Sequence, residues 1–185
     1  IMSARKLKIN FLGIGGIGVS ALARYYLSRG HEVTGSDLAS SEITKALEKL
    51  GAKITIGENT QIKDADLTIY SPAVSVGHSV SNSLSYPEAL GELTKKYFTI
   101  AVSGTHGKST TTALLSLILI KAGLDPTIII GTKLKELGDS NFRAGKSKYL
   151  LIEADEHLAS FLNYWPKIIV LTNIDKDHLD FYKNL

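Results

Sequence analysis

The sequence predicts an α/β protein built as two parallel-sheet units in succession. Three observations carry this. Short apolar strand patterns alternate with helix-spaced ones from end to end. A strand, a glycine turn and a helix follow one another twice, about 90 residues apart. The length, 185 residues, suits one ordinary domain or two small ones.

Leu7 to Leu12 reads as a buried strand, followed by Gly13, Gly15, Gly16 and Gly18. Val19, Leu22, Ala23, Tyr26 and Leu27 then recur at helical spacing up to Ser28, and Gly30 stops the helix. Glu32 to Ser36 is a second strand, Ser41 to Leu50 a second helix ending at Gly51, and Lys53 to Ile56 a third strand. Leu67 to Tyr70 is a fourth, cut off by Ser71-Pro72. After Pro87 a helix runs to about Lys96, and Phe98 to Val102 opens a new strand. A second glycine turn leads into an apolar helix from Ser109 to Ala122, with further strands at Thr127–Ile130, Tyr149–Ile152 and Ile168–Leu171. Asp177 to Tyr182 reads as a helix beginning. The boundary falls near Tyr97, giving units 1–97 and 98–185. The second unit reads as unfinished, with an apolar sheet edge that further chain or a second copy would cover.

Hydrophobic residues at 44% against 21% charged mark a globular composition. Basic residues number 11 against 9 acidic ones up to residue 97 and 10 against 9 after it, so no basic arm for nucleic acid or membrane surface stands out. The absence of cysteine excludes disulfides, thiolate metal sites and cysteine nucleophiles. No apolar run approaches the roughly 18 residues of a membrane span. No signal-peptide pattern opens the sequence, so the default expectation is a cytoplasmic protein without membrane insertion.

Gly13-Ile-Gly15-Gly16-Ile17-Gly18 fits G-x-G-x-x-G directly between a strand and a helix. In that context the first glycine makes a tight turn and the second lets backbone approach a diphosphate. The third brings helix and strand together, and the helix N-terminus offers N–H donors. Asp37 follows Gly18 at the end of the second strand, where a ribose-binding carboxylate belongs. The pattern indicates a Rossmann-like dinucleotide-type pocket. The bland alternative is a turn that only packs a helix on a sheet.

Gly104-Thr105-His106-Gly107-Lys108-Ser109-Thr110 occupies the matching place in the second unit. A Gly-Lys-Ser at a helix start collects backbone N–H groups, an ammonium for phosphates and a hydroxyl for Mg²⁺. The usual phosphate-loop pattern needs glycine at position 102, where this chain has Val102, so the loop is a shortened variant. Gly145-Lys146-Ser147 repeats the triplet without a strand before it or a helix after it, and reads as a plain loop. Glu153 and Asp155 follow the Tyr149–Ile152 strand, a natural place for Mg²⁺-binding carboxylates; a solvated loop edge is the alternative. His178 lies beyond the Ile168–Leu171 strand, while His31, His78 and His157 carry no such context.

Together these stretches resemble the Mur ligases, the ATP-dependent ligases of peptidoglycan synthesis. The resemblance rests on Phe11–Ala23, Gly35-Ser36-Asp37, Ser71-Pro72-Ala73-Val74, Gly104–Thr110, Glu153–Glu156 and Thr172–His178, and covers essentially the whole chain. It is strongest toward the members that add L-alanine to UDP-N-acetylmuramate. It implies that residues 1–97 hold the UDP-sugar, with Gly13, Gly15, Gly16, Ile17 and Gly18 at the diphosphate and Asp37, Ser71, Pro72 and Ala73 near the nucleotide. It implies that residues 98–185 are the first part of an ATPase domain, in which Gly104 to Thr110 bind ATP and Lys108 is catalytic. Ser109, Glu153 and His178 would then bind Mg²⁺. The implied reaction activates the lactate carboxylate as an acyl phosphate, from which L-alanine displaces phosphate. Val19, Gly131-Thr132 and His157-Leu158 depart from the common family pattern, which bears on subfamily more than on ATP use. Family members run more than twice this length, so the 185 residues alone are expected to turn over little or nothing.

Two other readings remain open at this point. An NAD-dependent oxidoreductase would account for Asp37 but leave Gly104–Thr110 without a role. A non-catalytic UDP-sugar-binding module or regulatory fragment would bind the sugar nucleotide, yet give no ligase activity when complemented with the missing C-terminal portion.

Overall fold

The structure is a computed structural model describing residues 5–58, 64–74, 82–155 and 157–176, the side chains of 157 and 158 excepted. It forms two compact units, Ile1–Ala89 and Leu90–Leu185.

In the first unit, β1 (Lys8–Leu12), β2 (Glu32–Asp37), β3 (Lys53–Ile56), β4 (Leu67–Tyr70) and β5 (Ser83–Ser85) form a wholly parallel sheet of order β3-β2-β1-β4-β5. Ile9, Asn10 and Phe11 are all 0% exposed, so β1 is covered on both faces, as the centre of a parallel sheet must be. Helix α1 (Ile17–Ser28) packs Tyr26 against Phe11, ring centres 6.2 Å apart. Helix α2 (Glu42–Lys49) starts at a capping box: Ser41 Oγ accepts the Thr44 N–H, and Thr44 Oγ1 accepts the Ser41 N–H. Such a cap contributes about 1 kcal/mol. The chain crosses from β1 to β2 on one side and returns to β4 on the other. The switch point therefore lies at the C-terminal ends of β1 and β4, where open α/β sheets leave a crevice.

Helix α3 (Tyr86–Thr94) spans the change of unit. The second sheet contains β6 (Phe98–Ser103), β7 (Thr127–Leu134), β8 (Ser140–Arg143), β9 (Tyr149–Glu153) and β10 (Ile168–Leu171), in the order β10-β6-β9-β7-β8. All pairings are parallel except β7 with β8. Helix α4 (Lys108–Lys121) supplies Leu115, Leu119 and Ile120 to a core of Ile100, Val102, Ile128 and Leu151. Ile168, Ile169 and Leu171 of the edge strand β10 are 45%, 65% and 55% exposed.

The elements expected from the sequence are present within a few residues. Strands β5 and β8 are additional, and β7 runs past Ile130 to Leu134 to form the antiparallel pair. The expected helix at 177–182 lies outside the described residues. No helix among the described residues is long and apolar enough to cross a membrane.

Candidate functional site

Each unit carries a glycine turn at the C-terminal end of an inner strand. In the first, Gly13 has φ +73°, a conformation that glycine adopts without penalty. A Cβ there would lie 3.0 Å from Ser71 Cβ and 3.1 Å from Val74 Cγ2. The N–H groups of Gly13 and Ile14 both donate to Ser36 O, at 2.9 and 3.1 Å, tying the turn to the end of β2. Asp37 accepts the Gly15 N–H through Oδ2 at 2.8 Å and the Ala39 N–H through Oδ1 at 3.4 Å. Helix α1 begins at Gly16 with no side-chain cap and no acidic residue in its first turn. A cleft of about 390 Å³ results, lined by Gly13, Gly15, Gly16, Asp37, Ser71 and Ala73 together with Leu38, Ala39, Ser41 and Val74. Ile17 heads α1 and Pro72 is exposed after β4. Gly18 faces Tyr86, whose Cζ would lie 2.6 Å from a Cβ at that position.

The second turn is built differently. Gly104 (φ +130°) is buried, and a Cβ there would collide with Thr172 Oγ1. Gly107 (φ +79°) is the left-handed N-cap of α4 and contributes no side-chain cap. Lys108 Nζ donates to Gly104 O at 2.8 Å and to Thr105 O at 3.2 Å, which holds the ammonium over the arch. Ser109 Oγ donates to Glu153 Oε1 at 2.8 Å, and the Gly131 N–H donates to Glu153 Oε2 at 2.9 Å. The parallel pairing of β6 with β9, Val102 opposite Glu153, brings this carboxylate beside the loop. Thr105, His106, Gly107, Lys108, Ser109, Thr110, Glu153 and Asp155 line a cleft of about 400 Å³.

Two groups of residues named in the sequence for other reasons were given no role in this site. Gly131 presents its N–H to Glu153, and a Cβ there would sit 3.0 Å from Oε2. Thr172, Asn173 and Asp175, just past β10, clasp the arch: His106 N–H donates to Asn173 Oδ1, Asn173 Nδ2 to His106 O, and Asp175 N–H to Thr105 Oγ1. Their signals were position, at the C-terminal end of a strand, and membership of the Thr172–His178 stretch that carries the resemblance. The second Gly-Lys-Ser triplet is a loop fastened to Asp125. Arg143 Nη2 reaches Asp125 Oδ1 at 2.6 Å and the Lys146 N–H reaches Oδ2 at 2.9 Å. The Arg143 hydrogen bond, then the Lys146 N–H, hold this carboxyl below the usual carboxylate range.

The described residues hold no cluster of three or more His, Cys, Asp or Glu side chains suited to a metal. His178 and Glu156 lie outside them. Ser109 Oγ and the Glu153 carboxylate are hard oxygen donors beside an uncapped helix start, which suits a Mg²⁺ ion that takes its remaining ligands from phosphate and water.

The family descriptions "Mur ligase family, catalytic domain" and "Mur ligase middle domain" match residues 8–98 and 102–185. The chain belongs to the Mur ligase family. It is 47% identical over 196 aligned positions to UDP-N-acetylmuramate--L-alanine ligase of Acetivibrio thermocellus, covering 100% of this chain and 42% of that relative. Among solved structures, UDP-N-acetylmuramate-alanine ligase from Thermotoga maritima is 32% identical with a TM-score of 0.80, over 97% of this chain and 44% of that one. A Neisseria ligase described as UDP-N-acetylmuramate:L-alanyl-γ-D-glutamyl-meso-diaminopimelate ligase is 26% identical with a TM-score of 0.84, over 98% of this chain and 64% of that one. This Mur ligase chain thus spans 42% of the length of the curated relative cited.

Proposed function

We propose that this chain carries the UDP-sugar and ATP-phosphate loops of a peptidoglycan-synthesis ligase that joins L-alanine to the lactate carboxylate of UDP-N-acetylmuramate. Residues 1–97 form the UDP-N-acetylmuramate-binding part, and residues 98–185 the first part of the central ATP-binding domain. The observation that carries the reading is the second turn, where Lys108 is held over the arch and Ser109 is bonded to Glu153 at the uncapped start of α4.

Backbone at Gly15 and Gly16 and the start of α1 meet the sugar diphosphate, with Asp37, Ser71 and Ala73 at the nucleotide end. Lys108 and the first N–H groups of α4 hold the ATP phosphates and balance charge on the transferring phosphoryl group, the dominant requirement of such transfers. Ser109 and Glu153, with His178, would hold Mg²⁺, which supplies further charge neutralisation when bound. The chemistry is activation of a poor electrophile. The lactate carboxylate becomes an acyl phosphate, and the L-alanine amine displaces phosphate to form the amide. Further domains of the longer ligase cover the apolar edge at β10 and complete the amino-acid site.

Calorimetric titration of the 185-residue chain tests this. Saturable binding of UDP-N-acetylmuramate and of ATP–Mg²⁺ is expected, with no response to NAD and no alanine-dependent phosphate release. Tight NAD binding with indifference to the UDP-sugar overturns the reading in favour of an oxidoreductase.

A further inference from the structure

We propose that Asn173 is a positioning residue whose side-chain amide sets the shape of the phosphate arch, and through it the aim of Lys108. The inference rests on the ATP-binding reading above and assigns a role to a residue that touches neither phosphate nor metal in that scheme.

The β6–β10 ladder ends where Leu171 lies opposite Ser103, with one last bond from the Thr172 N–H to Ser103 O at 2.9 Å. Beyond it the paired register stops and the arch 104–107 leaves the sheet, keeping one backbone bond to the neighbouring segment, from the Thr105 N–H to Asn173 O. Asn173 takes over. Its Oδ1 accepts the His106 N–H at 2.9 Å and its Nδ2 donates to His106 O at 2.9 Å, the two bonds that an adjacent strand would have made. At neutral pH a primary amide offers a donor and an acceptor side by side in one plane; an ionised carboxylate offers acceptors alone, and alanine neither. Neighbouring groups close the clasp. Thr172 Oγ1 donates to His106 O at 2.7 Å, the Thr105 N–H donates to Asn173 O at 3.3 Å, and Thr105 Oγ1 both accepts the Asp175 N–H at 3.0 Å and donates to Asp175 O at 3.2 Å.

The consequence reaches Lys108 because the arch carbonyls are its partners: Nζ is bonded to Gly104 O and Thr105 O. Freeing His106 lets the arch turn, and the ammonium moves with its two acceptors. Asn173 therefore acts on ATP without contacting it.

The test uses the 185-residue chain with ATP–Mg²⁺ titrated by calorimetry and backbone amides followed by NMR. Asn173→Ala is expected to weaken ATP–Mg²⁺ binding about tenfold, the effect of one or two lost hydrogen bonds. The His106, Gly107 and Lys108 amide signals move, and UDP-N-acetylmuramate binding is unchanged. Asn173→Asp keeps the acceptor but sets a carboxylate against His106 O, so it binds ATP–Mg²⁺ weakly above neutral pH. Relative to the unaltered chain at the same pH, it recovers as pH falls toward the carboxylate pKa of about 4, where the protonated acid again donates. That pH profile decides the matter if the alanine variant fails to fold. Undiminished ATP–Mg²⁺ binding by Asn173→Ala, or weakening without movement of the arch amides, overturns the inference alone. Failure of the unaltered chain to bind ATP–Mg²⁺ overturns the proposed function and this inference with it.

Discussion

The two glycine turns repeat one device, a strand end feeding a helix start, yet they are finished in opposite ways. At the first, the charged group is Asp37, and it is turned onto the turn's own Gly15 N–H; Leu38, Ala39, Ala73 and Val74 supply an apolar rim. At the second, a lysine lies over the arch, and a serine and a carboxylate stand beside it. Helix starts alone suffice to attract an anion. What separates the clefts is the side chains added to that shared base: Lys108 lies over one, and no cation is among the residues lining the other. Under the proposed function, the first would hold the sugar diphosphate and the second the reacting ATP phosphates.

Substituting Lys108 tests the contrast most severely. Lys108→Ala is expected to lower ATP–Mg²⁺ affinity about a hundredfold, the size of a lost charge-assisted hydrogen bond, while leaving UDP-N-acetylmuramate titrations unaltered. A comparable loss at both clefts would mean that they do not act independently. The glycines sharpen the contrast at the next scale. Gly13→Ala meets Ser71 and Val74 as well as a positive φ, and should cost about 1–3 kcal/mol in urea unfolding. Gly107→Ala has the same sign of φ but open space around it, so about 1 kcal/mol is expected.

The smallest effect concerns acid stability. Both units hold a carboxylate below its ordinary range, Glu32 through Lys53 at 3.2 Å and Asp125 through Arg143 at 2.6 Å plus a backbone N–H. A depressed folded-state pKa favours the native state above the ordinary carboxylate value. That contribution disappears as pH drops through the depressed one. The Glu32–Lys53 pair lies at the surface and the Asp125–Arg143 pair is half-buried, and both are small in effect. Asp125→Asn should nevertheless flatten the acid limb of the urea midpoint more than Glu32→Gln, because two hydrogen-bond donors rather than one favour the charged form of the carboxylate removed.

How much of this was legible in the chain follows the range of the interactions. The glycine turns were readable because positive φ at Gly13 and Gly107 demands glycine locally. Lys108 and Ser109 were readable because their spacing is set within one turn of helix. Strands β5 and β8 were not, since Ser83-Leu84-Ser85 and Ser140-Asn141-Phe142-Arg143 are short and carry one apolar residue each, too few to set up the alternation that marks a strand. The clasp at Thr172–Asp175 and the Gly131–Glu153 bond were equally hidden. They join residues 66 to 70 and 22 positions apart, and exist only because β10 and β7 flank the strands that carry their partners.

That dependence makes the ladder a measuring rule for the second cleft. Three adjacent parallel strands deliver its parts to one end: β6 the arch, β9 Glu153 through the pairing with Val102, and β10 the amide through the pairing of Leu171 with Ser103. Slipping either pair by one residue would carry the delivered group about 3.3 Å along the strand and turn it to the opposite face. Spatial accuracy at the second cleft is thus inherited from apolar residues of the strands behind it. Repacking Ile100, Val102 or Leu151 can misalign the chemistry while every polar side chain remains in place.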